Sequence, residues 1–504
     1  MRFTFFRNAR SPRMWALTAL LGSSCASPPA PPIAAPTSSA PVAPAPAPDP
    51  EAFRIEPPKP GAHPAVQFPT PTVKTLKNGV TLLVLPKHTP VTTLSVVMRE
   101  GAGALPVGKS GLAALTARML TEGTQLHSSL ALAEASESLG STLDADAGRD
   151  QSNVELSTLS NDVPRGLELL AEVVFKPAFR DADFARVKDE WLDGLRAERQ
   201  EPSRLASLAA LRSVLGPSAG APLSGSIPDV EKLTIADLKA FHQQHYVPAN
   251  LAVIAVGDVT LAALEPDVER LFGRAGKPTQ AKALETALPE PPSKLKVLIV
   301  DRKDSVQSSI FAAQRFPKRS EPGFEAREIM TSLLGGLFTS RLNSNLREKH
   351  AYTYGVHAQS LATRNWGAFY VATEVKSETT ADSLYELLSE LARAADPKLG
   401  APINEPEANR ARADLMHSLG ARLEHTSALA DSMATLFAEQ LPNDYYAKYP
   451  TLVSTIPTRE VAIQAARLTP QNLTVVIVGD RAQLEPSLKQ RGYTPEAADP
   501  RLLE

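Results

Sequence analysis

The stretch PANLAVIAVGDV, residues 248–259, returns later in the chain as PQNLTVVIVGDR, residues 470–481. Both copies contain a proline, an Asn-Leu pair, an apolar strand-like run and a Gly-Asp pair in the same register. The offset is 222 residues at both ends of the match, since 470 − 248 and 479 − 257 are equal. One apolar strand repeats easily by chance, whereas the fixed positions around it do not. The chain is therefore predicted to contain an internal duplication.

The order of elements supports two similar halves. In the first half a strand-like segment, Ser152–Leu159, precedes a helical pattern with Leu167, Leu170 and Val174 on one face. In the second half the strand-like segment is Gly367–Val375, and the helix after it carries four leucines on one side, Leu384, Leu387, Leu388 and Leu391. This order predicts an α+β fold of two homologous domains, each a mostly antiparallel sheet with helices packed on it.

The first 25 residues have the pattern of an export signal. Four arginines at positions 2, 7, 10 and 13 precede a short apolar run, residues 14–21, which is too short to span a bilayer. The chain's only cysteine, Cys25, stands where such a signal ends, and the segment resembles a bacterial lipoprotein signal in which that cysteine is lipidated. The alternative is a plain secretory signal with an incidental cysteine. A single cysteine also excludes an internal disulfide.

Proline and alanine dominate residues 26–71, which are predicted to form a disordered tether. In extended polyproline II such a segment could hold a folded body up to roughly 100 Å from an anchor. Folded sequence is predicted over residues 72–280 and 295–490, joined by a proline-rich linker over 281–294.

The charge balance argues against a nucleic-acid partner. Lys and Arg total 53 and Asp and Glu total 55, which leaves a net charge of −2. A chain so close to neutral has no general attraction for polyanions.

Helix 111–120, GLAALTARML, presents two different faces. Leu112, Leu115 and Met119 are predicted to be buried, and Ser110 is predicted to cap the helix. The other face carries Ala114, Ala117 and Arg118, with residues 114 and 118 one turn apart. A helix that binds a metal through two of its side chains places the two ligands at this spacing.

The surrounding segment GKSGLAALTARMLTEGT, residues 108–124, resembles the pitrilysin/insulinase-type metallopeptidases, the inverzincins. Active members of that family carry His-x-x-Glu-His in this helix. On that pattern the two histidine ligands fall on Ala114 and Arg118, and the glutamate base falls on Ala117. The resemblance also implies a third ligand near Gly194 or Leu195, and neither residue can bind metal. It therefore implies a mitochondrial-processing-peptidase-like fold whose zinc motif has been lost.

Other candidate ligands are interpreted as structural. Glu190 and Asp193 lie near the third-ligand position, on what reads as the solvated face of an amphipathic helix. Two pairs of histidines have spacings or positions that metals can use, His242 with His245 and His350 with His357. We interpret them as residues of helix ends and turns, so no metal is expected in this chain.

The segment LLGGLFTSRLNSNLREKHAYTYGV, residues 333–356, resembles the C-terminal half of the same family. There an arginine in a Leu-Arg pair is followed seven residues later by a tyrosine, and Arg347 and Tyr354 stand at these positions. The resemblance implies that the two side chains reach an active site in the other half, hold the substrate backbone and stabilise charge on the attacked carbonyl. A guanidinium and a phenol are donors suited to that task. The alternative is a helix-surface arginine and a half-buried sheet tyrosine, and Arg341 is interpreted as structural.

Loss of the zinc motif together with retention of Arg347 and Tyr354 leads to a functional hypothesis. The chain is expected to be the non-catalytic, substrate-binding subunit of an exported, heterodimeric zinc metallopeptidase whose partner chain holds the zinc. The expected partners are that homologous subunit, an extended peptide and, through the lipid on Cys25, a membrane of the bacterial envelope, with the chain facing the periplasm or the cell surface. One alternative is a lipid-tethered peptide-binding module without proteolysis. Another is an active peptidase with displaced ligands.

Overall fold

The computed structural model describes residues 66–103, 105–273 and 288–504. The predicted signal peptide with Cys25, the tether as far as residue 65 and linker residues 281–287 lie outside the described residues. Within the described ranges, no helix has both the length and the apolar character needed to cross a membrane.

The first half, residues 66–273, contains six described strands and eight described helices. The strands are β1 (Thr72–Thr75), β2 (Thr81–Pro86), β3 (Val91–Met98), β4 (Asp144–Ala147), β5 (Ser152–Leu159) and β6 (Leu251–Gly257). The helices are α1 (Leu112–Leu120), α2 (Ser129–Glu137), α3 (Val163–Phe175), α4 (Asp181–Glu198), α5 (Pro202–Ala219), α6 (Ile227–Lys232), α7 (Ile235–His245) and α8 (Leu261–Phe272).

The second half, residues 288–504, repeats this plan with six strands and seven α-helices. The strands are β7 (Lys296–Asp301), β8 (Gln307–Arg315), β9 (Thr353–Ala362), β10 (Gly367–Lys376), β11 (Thr474–Gly479) and β12 (Pro495–Ala497). The helices are α9 (Phe324–Thr331), α10 (Thr380–Ala395), α11 (Glu405–Ala421), α12 (Thr426–Ala438), α13 (Tyr445–Thr455), α14 (Thr458–Ala465) and α15 (Arg481–Gln490). Two π-helical segments, Ser332–Gly336 and Asn343–Lys349, lie between α9 and β9.

The two sheets have the same topology over five strands. Their orders are β1-β2-β6-β3-β5-β4 and β12-β7-β11-β8-β10-β9. The duplicated strands β6 and β11 occupy the same place, each parallel to one neighbour and antiparallel to the other. The sheets differ only in the strand at one edge, since β1 is antiparallel to β2 whereas β12 is parallel to β7. The predicted fold of two homologous domains with mostly antiparallel sheets is confirmed.

Each sheet is buried on both faces. One face of the first sheet packs on helices of its own half, among them α1, α3 and α8. Its other face packs on α12, a helix of the second half, while α5 of the first half covers a face of the second sheet, against β8 and β11. Burial on both sides explains why β6 and, after Thr474, β11 are apolar runs instead of alternating patterns.

The start of α1 differs from the prediction. The residue at the N-cap is Gly111, in a left-handed conformation with φ 86°, and no side chain caps the helix. Ser110 instead donates from its hydroxyl to Asp229, at 2.5 Å, and accepts from the backbone N–H of Ser226. The predicted Ser110 cap is wrong because this hydroxyl joins α1 to the loop before α6.

The packed structure extends beyond the predicted domain bounds at both ends. Before residue 72, Phe68 is buried and its ring lies 5.1 Å from that of Tyr446. After residue 490, β12 adds an edge strand to the second sheet.

The helical segment that carries Arg347 ends at a left-handed residue. Ala351 has φ 54°, and its N–H donates to the carbonyl of Arg347 while the N–H of Tyr352 donates to that of Leu346. These bonds satisfy the last carbonyls of the helix, as at many helix ends, but glycine is the usual residue there because a Cβ is strained in this conformation.

We expect Ala351→Gly to stabilise the protein by about 0.5–1 kcal/mol, because relief of the left-handed strain exceeds the extra entropy of glycine in the unfolded chain. Urea unfolding followed by circular dichroism would measure the change. The matched control, Ala413→Gly in the interior of α11, should destabilise by about 1 kcal/mol. A loss of stability in both variants would contradict the strain at residue 351.

Candidate functional site

Helix α1 is a packing element on both of its faces. It contacts α4, α7, β4 and β5, all within the first half. Ala117, at the position of the family's glutamate base, is 0% exposed, and Ala114 packs against the same core. The predicted division into a buried face and a chemical face therefore holds only for Arg118, since Ala117 belongs to the core.

Arg118 is committed to an ion-pair cluster. Its Nη1 lies 2.5 Å from Oε1 of Glu122, a buried carboxylate whose other oxygen contacts Arg186. Arg186 also pairs with the exposed Glu190, at 3.1 Å. Both oxygens of Glu122 are therefore paired with arginines and are not free to bind a metal, and the Arg118 guanidinium itself repels a dication at this position.

The position of the third ligand offers no donor atom. Leu195 is buried in the core of the first half, and Gly194 has no side chain. The nearby carboxylates are exposed and paired with arginines, Asp193 with Arg196 at 2.6 Å and Glu190 with Arg186. Because a catalytic zinc needs about three protein ligands, the residues at this helix do not fit the metal. Across the described ranges, no three His, Cys, Asp or Glu side chains are grouped so that they could hold a metal ion.

The histidines have structural contacts. His242 Nε2 lies 2.7 Å from the carbonyl oxygen of Val174, and burial lowers the pKa of this imidazole. His245 is buried beside Phe241, which likewise lowers its pKa. In the second half, His350 stacks on Tyr352.

A cavity of about 350 Å³ lies beside Leu195, between the end of α4, α5 and the loop before α6. Its walls include five leucines, arginines at positions 149, 199 and 204, and glutamates at positions 198 and 504. Arg149 donates to two backbone carbonyls of that loop, so part of this positive charge is already used to hold the chain.

In the second half, Arg347 lies in the π-helical segment Asn343–Lys349. Its guanidinium carbon is 3.8 Å from the centroid of the Phe338 ring, and its Nε is 3.5 Å from the exposed carboxylate of Glu348. The side chain is 30% exposed. Arg347 is thus fixed on one side by an aromatic ring and open on another.

Tyr354 projects from a bulge at the start of β9. The residue pairs Val356–Thr373 and Thr353–Val375 leave Tyr354 and Gly355 opposite one residue of β10. Such bulges re-aim side chains, and Tyr354 is 94% exposed. The Thr373 hydroxyl lies within hydrogen-bond distance of Gly355 O and of the Thr353 hydroxyl, both at 2.9 Å. A half-buried sheet tyrosine, the alternative interpretation, does not describe this residue.

The backbone that carries Arg347 and Tyr354 is held in place by residues that the sequence did not point to. The buried amide of Asn343 donates to the carbonyls of Leu337 and Val356 and accepts from the N–H of Val356. It therefore ties the loop before the Arg347 helix to β9. A Cβ at Gly335 would lie 2.6 Å from that of Ala358, so this glycine permits close packing against β9.

Arg341 has the contacts of a structural residue. It pairs with Glu407 through two nitrogens, at 2.7 and 2.8 Å, and donates to the carbonyls of Ala401 and Pro402. Its bonds hold the loop before α11 against the helix that leads to Arg347.

The two motifs are not joined within the chain. In the part of the chain that the structure describes, neither Arg347 nor Tyr354 forms a hydrogen bond or ion pair with α1. Each set of residues packs with elements of its own half. Among the described residues, the structure therefore does not join Arg347 and Tyr354 by such contacts to the residues at the zinc-motif positions.

Comparison with known proteins supports the family resemblance. An uncharacterized zinc protease of Mycobacterium bovis is 26% identical over 378 residues, covering 73% of this chain and 83% of that protein. A protein of Helicobacter pylori named as a non-peptidase homolog is 24% identical over 300 residues, covering 58% of this chain and 68% of its own length. The crystal structure of a peptidase M16 inactive domain from Pseudomonas fluorescens has a TM-score of 0.74 and 25% identity, covering 81% of this chain and 98% of that chain.

Two family models match consecutive parts of the chain. The one described as "Insulinase (Peptidase family M16)" matches residues 82–214, and the one described as "Peptidase M16 inactive domain" matches residues 232–414. The first match includes α1, and the second includes Arg347 and Tyr354. The chain therefore belongs to the insulinase family of peptidases and is a member whose zinc-motif helix carries no metal ligands.

Proposed function

We propose that this chain is the non-catalytic, substrate-binding subunit of an exported heterodimeric zinc metallopeptidase. The observation that carries the proposal is the contrast between its two motifs. Helix α1 has no ligand and a paired Arg118, whereas Tyr354 is exposed and Arg347 is partly exposed on a backbone held by Asn343. A chain that presents only donors can assist hydrolysis at a metal held by another chain. Zinc is accordingly expected in a homologous partner subunit.

The role assigned to Arg347 and Tyr354 is to bind and orient an extended peptide. A guanidinium offers up to five N–H donors, and a phenol offers one O–H, both suited to backbone carbonyls. If these donors lie closer to the carbonyl oxygen as charge develops on it, they also lower the barrier to hydrolysis.

A second candidate function is peptide capture without cleavage. It is favoured by the outer strands β4 and β9, each of which pairs with one neighbour only among the described residues. Such an edge can accept an extended peptide as an additional strand. Under this proposal the isolated chain binds peptides with no metal and no partner.

The first experiment is gentle purification of the tagged full-length chain from its native membrane. We expect an equal amount of a second chain bearing His-x-x-Glu-His, and peptide cleavage that depends on that chain. With the complex in hand, Arg347→Ala and Tyr354→Phe should each lower kcat by about 100-fold, the usual effect of removing one donor from a developing oxyanion. Cleavage of a quenched fluorescent peptide would measure this.

Exposed residues of the same half serve as matched controls. Arg459→Ala and Tyr385→Phe remove the same groups at other surface positions and should leave cleavage unchanged. Full activity in the Arg347 and Tyr354 variants would contradict the subunit proposal. A chain that purifies alone, yet retains extended peptides in the presence of a chelator, would favour capture.

We also propose that the chain is a membrane-anchored lipoprotein of a bacterial envelope, attached through Cys25. Growth with an alkyne-bearing fatty acid should label the wild-type chain, and Cys25→Ser should abolish labelling and release the chain from the membrane fraction. Because Cys25 is the only cysteine of the sequence, no other thiol can take up the lipid. An unlabelled wild-type chain in the soluble fraction would instead indicate a plain secretory signal.

A further inference from the structure

Phe338 lies on the loop between the two π-helical segments, Ser332–Gly336 and Asn343–Lys349, and its ring is 65% exposed. An exposed apolar side chain is common and carries no argument alone. The distinguishing feature is its contact with Arg347, whose guanidinium carbon lies 3.8 Å from the ring centroid. The sequence analysis assigned no role to this residue.

The backbone around Phe338 is held in place. The carbonyl of Leu337, directly before it, accepts hydrogen bonds from the Asn343 amide and from the N–H of Ser340, both at 3.1 Å. Asn343 also bonds to Val356 in β9, the strand that carries Tyr354. The ring therefore projects from a fixed loop and stacks on the Arg347 guanidinium.

The stacking contact is the stronger restraint on the Arg347 guanidinium. Within the described part of the chain, its ion-pair partner is Glu348, at 3.5 Å and 60% exposed. Exposed pairs of this kind contribute little, whereas a guanidinium over an aromatic face gains about 0.5–1 kcal/mol at exposed sites. A guanidinium stacked on a ring keeps its N–H groups in the plane, where a carbonyl or carboxylate can accept from them.

We propose that Phe338 is a positioning residue for Arg347 and that its open ring surface forms an apolar subsite. The site would then take extended peptides with an apolar or aromatic side chain next to the backbone carbonyl that Arg347 holds. The inference rests on the proposed function, because it concerns the same peptide site, and it adds the class of side chain that the site selects.

The test uses an equimolar mixture of decapeptides of varied sequence as the probe. The mixture is cleaved by the purified complex or, if the chain purifies alone, captured on the immobilised full-length chain, and mass spectrometry identifies the selected residues. Phe338→Leu keeps apolar volume but removes the aromatic face, Phe338→Tyr keeps both, and Phe338→Ser removes both. Val306→Ala is the matched control, since Val306 is an exposed apolar residue of the same half.

Because the stacking contact is lost, we expect Phe338→Leu to raise KM, or to weaken the affinity for the peptides, by about fivefold. The KM or affinity of Phe338→Tyr should stay within about twofold of the wild-type value. Phe338→Ser should in addition abolish the preference for apolar residues. A purely structural role would lower the melting temperatures of Phe338→Leu and Phe338→Ser and leave the residue preference unchanged, whereas unchanged melting temperatures would confirm that each variant folds.

Two contrary outcomes are distinguishable. If Phe338→Leu and Phe338→Ser keep wild-type affinity and residue preference while Arg347→Ala loses binding, the inference is overturned and the proposed function stands. If Arg347→Ala also behaves as wild type, or if the wild-type chain selects no peptide, the proposed function fails and the inference fails with it.

Discussion

Each sheet depends on a helix from the opposite half of the chain to close its second face. Helix α5 of the first half covers β8 and β11, and α12 of the second half covers β3 and β6. Neither half alone could bury both faces of its sheet, and the strands are apolar on both sides. The two halves are therefore stable only together. This exchange of helices fixes the surface on which Arg347 and Tyr354 stand relative to the first half.

Polar contacts at this joint set its register. The Trp366 indole donates to the carbonyl of Gly103, at 3.1 Å, and Arg364 donates to the carbonyls of Arg99 and Asp150. Burial raises the pKa of the Asp150 carboxyl, while the charge of Arg364 opposes that rise. A buried pair of this kind adds little net stability, because its desolvation offsets its attraction. Apolar burial between the halves thus supplies the stability, and these contacts select one alignment.

The sequence contained enough to predict the duplication, the main strands and the apolar helix faces, because periodicity and turn residues are local signals. The prediction that Ser110 caps α1 also used a local signal, because serine is a common residue at the start of a helix. In the structure its hydroxyl instead bonds to a carboxylate 119 residues away. Arg347 and Tyr354 were singled out through the resemblance of residues 333–356 to the family. Phe338 and Asn343 were not, since their roles depend on contacts with the Arg347 helix and β9 that only the folded chain reveals.

Departures from regular geometry gather around one of the two motifs. Helix α1 is regular, and its substituted positions are absorbed by packing at Ala117 and by the Glu122 ion pair at Arg118. Around Arg347 and Tyr354 lie two π-helical segments, a bulge and the left-handed Ala351. Such features cost stability and are common at functional sites. A surface tyrosine that is 94% exposed contributes almost no burial in return. These features therefore support the proposal that Arg347 and Tyr354 bind a ligand, since they add nothing to the stability of the fold.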